Sequence, residues 1–228
     1  MEARLTGISR EEALRYLGIR KRPDENLLRD LDRCADLLVS SVRPRICWRL
    51  FTREADGSLS GTSFRPAGED ICRFLAGCGQ VIGMAATLGA ESETLLRRMQ
   101  EVNMADAVIL DALASAAVEN VCDNLCADLA LEVAPRKLTS RFSPGYGDFP
   151  LSQQAELCAV LNVNRLLGIT LTPGGLMVPQ KSVTALIGVR QAETDPVRNT
   201  DPEILSGCSA CSSFPHCRYK KEDQPCGK

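Results

Sequence analysis

Two stretches of the chain hold residues whose types and spacing can do chemistry. The first is "RFSPGYGDFPLSQQ", residues 141–154. Arg141 can fork onto a carboxylate through two parallel N–H donors, a charge-assisted and geometrically selective contact. Gly145 and Gly147 allow backbone to approach a ligand closely, and Pro144 presets a turn. Tyr146 adds a flat ring with a hydroxyl. A helix starting at Ser152 would bring free backbone N–H groups, which also suit a carboxylate. This is binding chemistry, with no general acid or base in it. The same residues also suit a structural corner in which Arg141 pairs with an acid, although loops this rich in special residues often carry function.

The second stretch is "CSACSSFPHCRYKKEDQPCGK" near the C-terminus. It spaces its thiols as Cys208-x2-Cys211-x5-Cys217-x8-Cys226, with His216 beside the third. Four thiolates suit zinc or an iron–sulfur cluster, and three leave an open position or admit His216. The spacing matches no standard signature, so free thiols and a disulfide formed on purification are the other readings. A Cys–His nucleophile pair is set aside, because such sites need a formed cleft and this segment has almost no apolar residues to build one. Cys122 and Cys126, four apart on one predicted helix, could share a metal, but buried thiols are the commoner outcome.

Composition removes several classes of function. His216 is the one histidine, which excludes histidine-rich metal sites and leaves no Ser-His-Asp triad that does not use it. Neither standard Gly-rich phosphate loop is present. The net charge is −2, and basic residues interleave with acidic ones, a pattern of solvated helix faces and no nucleic-acid footprint. The longest nearly apolar run, "VIGMAATLGA", is far short of the roughly 20 residues of a membrane span. The charged N-terminus has no signal-peptide core. The expectation is therefore a cytoplasmic protein without a membrane partner, whose 11 cysteines are thiols or metal ligands before they are disulfides.

The elements that must position these residues follow from periodicity. Ser9 predicts a capped helix over 9–19, and apolar spacing predicts another over 24–42, stopped by Pro44. Residues 45–52 alternate as a strand, with Ile46, Trp48 and Leu50 on one side and Arg45, Cys47 and Arg49 on the other, and turn at Asp56-Gly57. A short helix over 67–78, a buried strand or extended segment over 80–89 and a helix over 91–101 follow. A long alanine-rich helix spans 103–133, capped by Asn103 and ended by Pro135. Residues 152–168 read as one helix with Gly168 as its C-cap. Segments 169–172, 176–178 and 182–189 read as strands, with antiparallel pairing across 173–181. The fold class is α+β, helices packed on one antiparallel sheet. The expected organisation is a domain over 1–190 and a cysteine-rich tail over 191–228.

The register around the loop adds a resemblance. Arg141, Pro144, Gly145, Tyr146, Pro150, Gly168, Leu171, Thr172, Met177, Pro179, Ser182 and Val183 stand in the spacing of the activation domain of cobalamin-dependent methionine synthase. The upstream stretches "FLAGCGQVIGMAATLGAESE" and "MADAVILDALASAAVENVCD" look like free-standing bacterial members of that family. The resemblance covers roughly residues 5–190. It implies a module that binds S-adenosylmethionine and supports reductive remethylation of cob(II)alamin on a partner, methionine synthase or another corrinoid protein, with an electron donor. That role would make it the reactivation component of a methyltransferase. It also implies that Arg141 holds the carboxylate of S-adenosylmethionine and that Tyr146 faces the cobalamin side. Two departures stand against it. "RQAETDPVRNT", after the last strand, lacks the family's aromatic pair, and no segment matches the family's early aspartate beside a tryptophan. A corrinoid-protein partner without cofactor affinity, or a metal or redox adaptor built on the C-terminal cysteines, is the alternative.

Overall fold

The structure is a computed structural model and describes residues 1–3 and 5–191. Three of its helices begin where local capping chemistry puts them. The Ser9 hydroxyl accepts from the Glu12 amide at 3.2 Å and opens α1 (Arg10–Tyr16). The Asp24 carboxylate accepts from the Leu27 amide at 2.8 Å and opens α2 (Glu25–Ser41). The Asn103 side chain accepts from the Ala105 and Asp106 amides at 3.1 and 3.4 Å, opening the 30-residue α5 (Met104–Val133). Each cap satisfies donors that the first helical turn leaves unpaired.

Between and after these lie β1 (Arg45–Thr52), α3 (Glu69–Phe74), β2 (Gln80–Thr87), α4 (Ala90–Val102), β3 (Lys137–Leu138), α6 (Gln154–Leu161), α7 (Val163–Leu167), β4 (Thr170–Leu171), β5 (Met177–Val178) and β6 (Ser182–Arg190). One four-stranded sheet has the order β1-β2-β6-β3, and β4 and β5 form a separate antiparallel pair. The fold class is α+β with antiparallel sheet, as expected. The inner strands β2 and β6 are buried almost throughout, so each reads as a continuous apolar run. On β1 the expected alternation gives way. Cys47 and Phe51 are buried while Trp48 and Leu50 are half-buried. No helix among the described residues is long and apolar enough to cross a membrane.

The chain forms two compact units. The first comprises residues 1–47, 86–125 and 163–183. Here α2 buries Leu31, Cys34 and Leu38, and α5 buries Leu110, Leu113, Ala114, Ala117 and Val121. Arg33 donates to both carboxylate oxygens of Asp106, at 2.9 and 2.7 Å, which ties α2 to α5. The second unit comprises 48–85, 126–162 and the described residues from 184 onward. Its core holds Phe64, Ile71, Leu75, Val81, Leu157, Leu186 and Ile187.

Two departures from the sequence expectation have clear causes. The helix expected over 152–168 is a 3₁₀ turn at Leu151–Gln153 followed by α6 and α7, because Asn162 adopts φ +54° and breaks the run. Strand β3 was not expected. Two residues carry no legible periodicity, and Lys137 and Leu138 become a strand only by pairing with Arg190 and Val189.

Candidate functional site

The 139–154 segment lies wholly in the second unit, and its course is set by three anchors. The first is β6. Beyond the Leu138–Val189 pair, Thr139 donates its amide to the Gly188 carbonyl at 2.9 Å, and its hydroxyl accepts from the Gly188 amide at 2.8 Å. Phe142 and Leu186 then exchange both backbone hydrogen bonds at 2.9 Å. Between Thr139 and Phe142 the chain spends one more residue than β6 does between Gly188 and Leu186. This is a β-bulge containing Ser140 and Arg141, a device that re-aims a side chain at a strand edge. Arg141 is half-buried, and its Nη1 lies 3.6 Å from the Cys126 thiol on α5. The structural corner imagined from sequence thus sets a thiol as well as other groups beside the guanidinium.

The second anchor is the loop's own backbone. Tyr146 donates to the Ser143 carbonyl at 3.0 Å, with Pro144 and Gly145 between them and Gly145 at φ +93°. Proline followed by a positive-φ glycine defines a type II turn. Phe149 donates to the Tyr146 carbonyl at 2.9 Å across Gly147, at φ +53°. Gly145 then donates to the Phe149 carbonyl at 2.8 Å and closes two consecutive turns into one compact loop. Phe142 and Phe149, both buried, root it in the core, with the Phe74 ring tilted against Phe142 at 5.0 Å. Tyr146 meets Phe142 edge-on at 6.1 Å and is 47% exposed. A Cβ at Gly145 would meet only Leu151, at 3.8 Å, so the backbone there faces open space.

The third anchor was not legible in advance. The Asp148 carboxylate accepts from the Glu69 amide at 2.6 Å and from the Asp70 amide at 3.0 Å. It caps α3, whose own N-cap, Gly68, has no side chain to do so. The sequence shows only the need: a helix opening "AGED" has no local cap, and its first amides must be satisfied from elsewhere. Gln153 adds two bonds, accepting from the Ala67 amide at 2.7 Å and donating to the Arg65 carbonyl at 2.9 Å.

The five loop residues singled out from sequence lie on this one loop, and their surroundings differ. Arg141 is half-buried beside Cys126, Gly145 faces open space, Tyr146 is exposed and Pro144 sits in the type II turn. Gly147 differs in its surroundings, since a Cβ there would run into the Asp70 carboxylate, so its missing side chain makes room for Asp70. Ser152 lies in the 3₁₀ turn, two residues before α6 begins.

Among the described residues no cluster of His, Cys, Asp and Glu is arranged to hold a metal. Cys122 is buried, and burial pushes the Cys34 and Cys158 thiols above their ordinary range, which disfavours thiolate chemistry there. Cys208, Cys211, Cys217 and Cys226 lie outside the described residues.

The class these features define is an α+β domain in which a bulged segment beside β6 carries a closed, glycine-bearing loop to the surface. Among solved structures it is similar to the MetH reactivation domain bound to AdoHcy, with a TM-score of 0.55 and 19% sequence identity. The match covers 75% of this chain and 66% of that one, and at this identity it is a likeness of fold. No protein-family model matches the sequence, and no curated protein matches it.

Proposed function

We propose that the chain is a module that binds S-adenosylmethionine and supports reductive remethylation of cob(II)alamin on a cobalamin-dependent methyltransferase, methionine synthase or another corrinoid protein. The observation that carries this reading is the fold likeness to a reactivation domain with AdoHcy bound, combined with the Arg141–Gly147 loop that the sequence marked independently. The residues present suit the ligand. A half-buried guanidinium can take the carboxylate, open backbone at Gly145 admits close approach, and the exposed Tyr146 ring offers a face. When bound, S-adenosylmethionine supplies the methyl group, while the partner carries cobalamin and a separate donor supplies the electron. What this chain's residues do is hold and orient: Arg141 fixes one end of the ligand, and the turn at Pro144–Gly145 keeps the surface shape.

The cysteines at 208, 211, 217 and 226 are proposed, on their spacing alone, as a separate zinc or iron–sulfur site in a region 191–228 distinct from the 1–190 domain.

Calorimetric titration with S-adenosylmethionine and with its product tests the ligand assignment. The wild type is expected to bind and Arg141→Ala to bind at least tenfold more weakly, the scale of a lost charge-assisted pair of hydrogen bonds. Unchanged affinity in the variant would remove Arg141 from the site. Capture of a cobalamin protein with no affinity for S-adenosylmethionine would leave the adaptor reading in place of this one.

A further inference from the structure

Asp148 belongs to none of the features that suggested the loop, yet the loop's position depends on it. Its carboxylate takes the first two amides of α3, at 2.6 and 3.0 Å. Two glycines make this approach achievable, and they are reciprocal. Gly68 sits at φ +115°, and a Cβ there would stand 2.6 Å from Asp148 Oδ1 and 2.9 Å from the Asp148 carbonyl oxygen. Gly147, next to Asp148, sits at φ +53°, and a Cβ there would collide with the Asp70 carboxylate. Asp70 thus rests against the bare backbone next to Asp148, and Asp148 against the bare backbone two residues before Asp70. Asp70 is buried in this contact, and its Oδ1 accepts from Arg73 at 3.3 Å.

The consequence is mechanical. Residues 139–142 are tied to β6, and residues 148–153 are tied to the 65–70 segment through Asp148 and Gln153. The tip, Pro144–Gly145–Tyr146, is suspended between these two anchors. An acidic group at a helix N-terminus gains from the aligned N–H dipoles as well as from the hydrogen bonds themselves. With two bonds to a charged acceptor, Asp148 is the stronger half of the tie to the 65–70 segment.

We propose that Asp148 is a positioning residue of the ligand site: by capping α3 from the loop, it holds the 144–147 tip in the conformation that binds. The inference rests on the functional reading above, and its test separates the two. Backbone amide exchange and S-adenosylmethionine titration are measured on the full chain for the wild type, Asp148→Ala, Asp148→Asn and Gly147→Ala. In Asp148→Ala the Glu69 and Asp70 amides should exchange at least tenfold faster, and ligand affinity should fall at least fivefold. Asp148→Asn keeps an acceptor oxygen and should recover part of both effects. Gly147→Ala drives a Cβ into the Asp70 carboxylate and disturbs the same junction from the other side, so it should weaken binding while leaving the Asp148 carboxylate in place, which keeps the test open if Asp148→Ala fails to fold. Faster exchange with affinity unchanged within twofold would reduce Asp148 to a cap and overturn the positioning role. Unchanged exchange would overturn the latch itself. A wild type that does not bind at all overturns the functional reading, and the positioning role falls with it.

Discussion

Arg141 reaches its place because β6 and the segment opposite it fall out of step by one residue. A bulge turns a side chain that alternation alone would send elsewhere, and bulges of this kind recur beside binding sites. Nothing in "LTSRFSPGYG" announces the bulge, because it exists only relative to β6. The residue types were legible, and so was the turn at Pro144–Gly145, which needs only local dihedrals. Asp148 was not, since its partners are almost eighty residues away. A different ion pair gives the residue-scale prediction. The Arg33 guanidinium holds the Asp106 carboxyl below the usual carboxylate range, mainly through its hydrogen bonds. A depressed carboxyl contributes stability that is fully present above its unfolded value of about 3.9 and is lost as the pH falls through the folded value. Asp106→Asn should therefore flatten the loss of stability below about pH 4, followed by urea denaturation at stepped pH. Arg33→Ala should cost only about 1 kcal/mol at pH 7, because the guanidinium is half-exposed and solvent screens it.

Helices α6 and α7 show what a single backbone angle does at the scale of elements. The apolar spacing from Leu157 to Leu167 is continuous enough to read as one helix. Asn162 stops it by taking the left-handed conformation, where its amide donates to the Ala159 carbonyl at 3.0 Å. Asparagine tolerates that region better than other residues with a Cβ. Asn162→Ala should cost about 1 kcal/mol in urea denaturation and Asn162→Gly should be near neutral, because the penalty is the Cβ in that conformation. A matching loss in both variants would point instead to the side-chain amide. Helix α3 makes a complementary point. Its acidic first turn was legible as a start signal, but a six-residue helix opening at Gly68 cannot cap itself. The loop completes it, so the two elements are one structural device.

The whole molecule combines a fold that can be compared and a cysteine-rich region that spacing alone describes. A chain ending at residue 190 should keep its affinity for S-adenosylmethionine, while the full chain purified without oxygen should carry zinc or iron that the shorter one lacks. Elemental analysis and an absorption spectrum decide this, and full-length protein free of both metals would end the metal proposal. By itself the sequence determined the helices with local caps, the buried strands, the α+β class, the loop's turn and the exclusion of histidine-rich metal sites. Each of these follows from residues near one another in the chain, through capping, periodicity and dihedral preference. Tertiary structure alone decided the two-residue strand β3, the bulge that aims Arg141, the thiol beside it and the carboxylate that caps a distant helix. These depend on which backbone groups lie opposite one another after folding, and a hydrogen bond between positions 148 and 69 leaves no periodic trace in either segment.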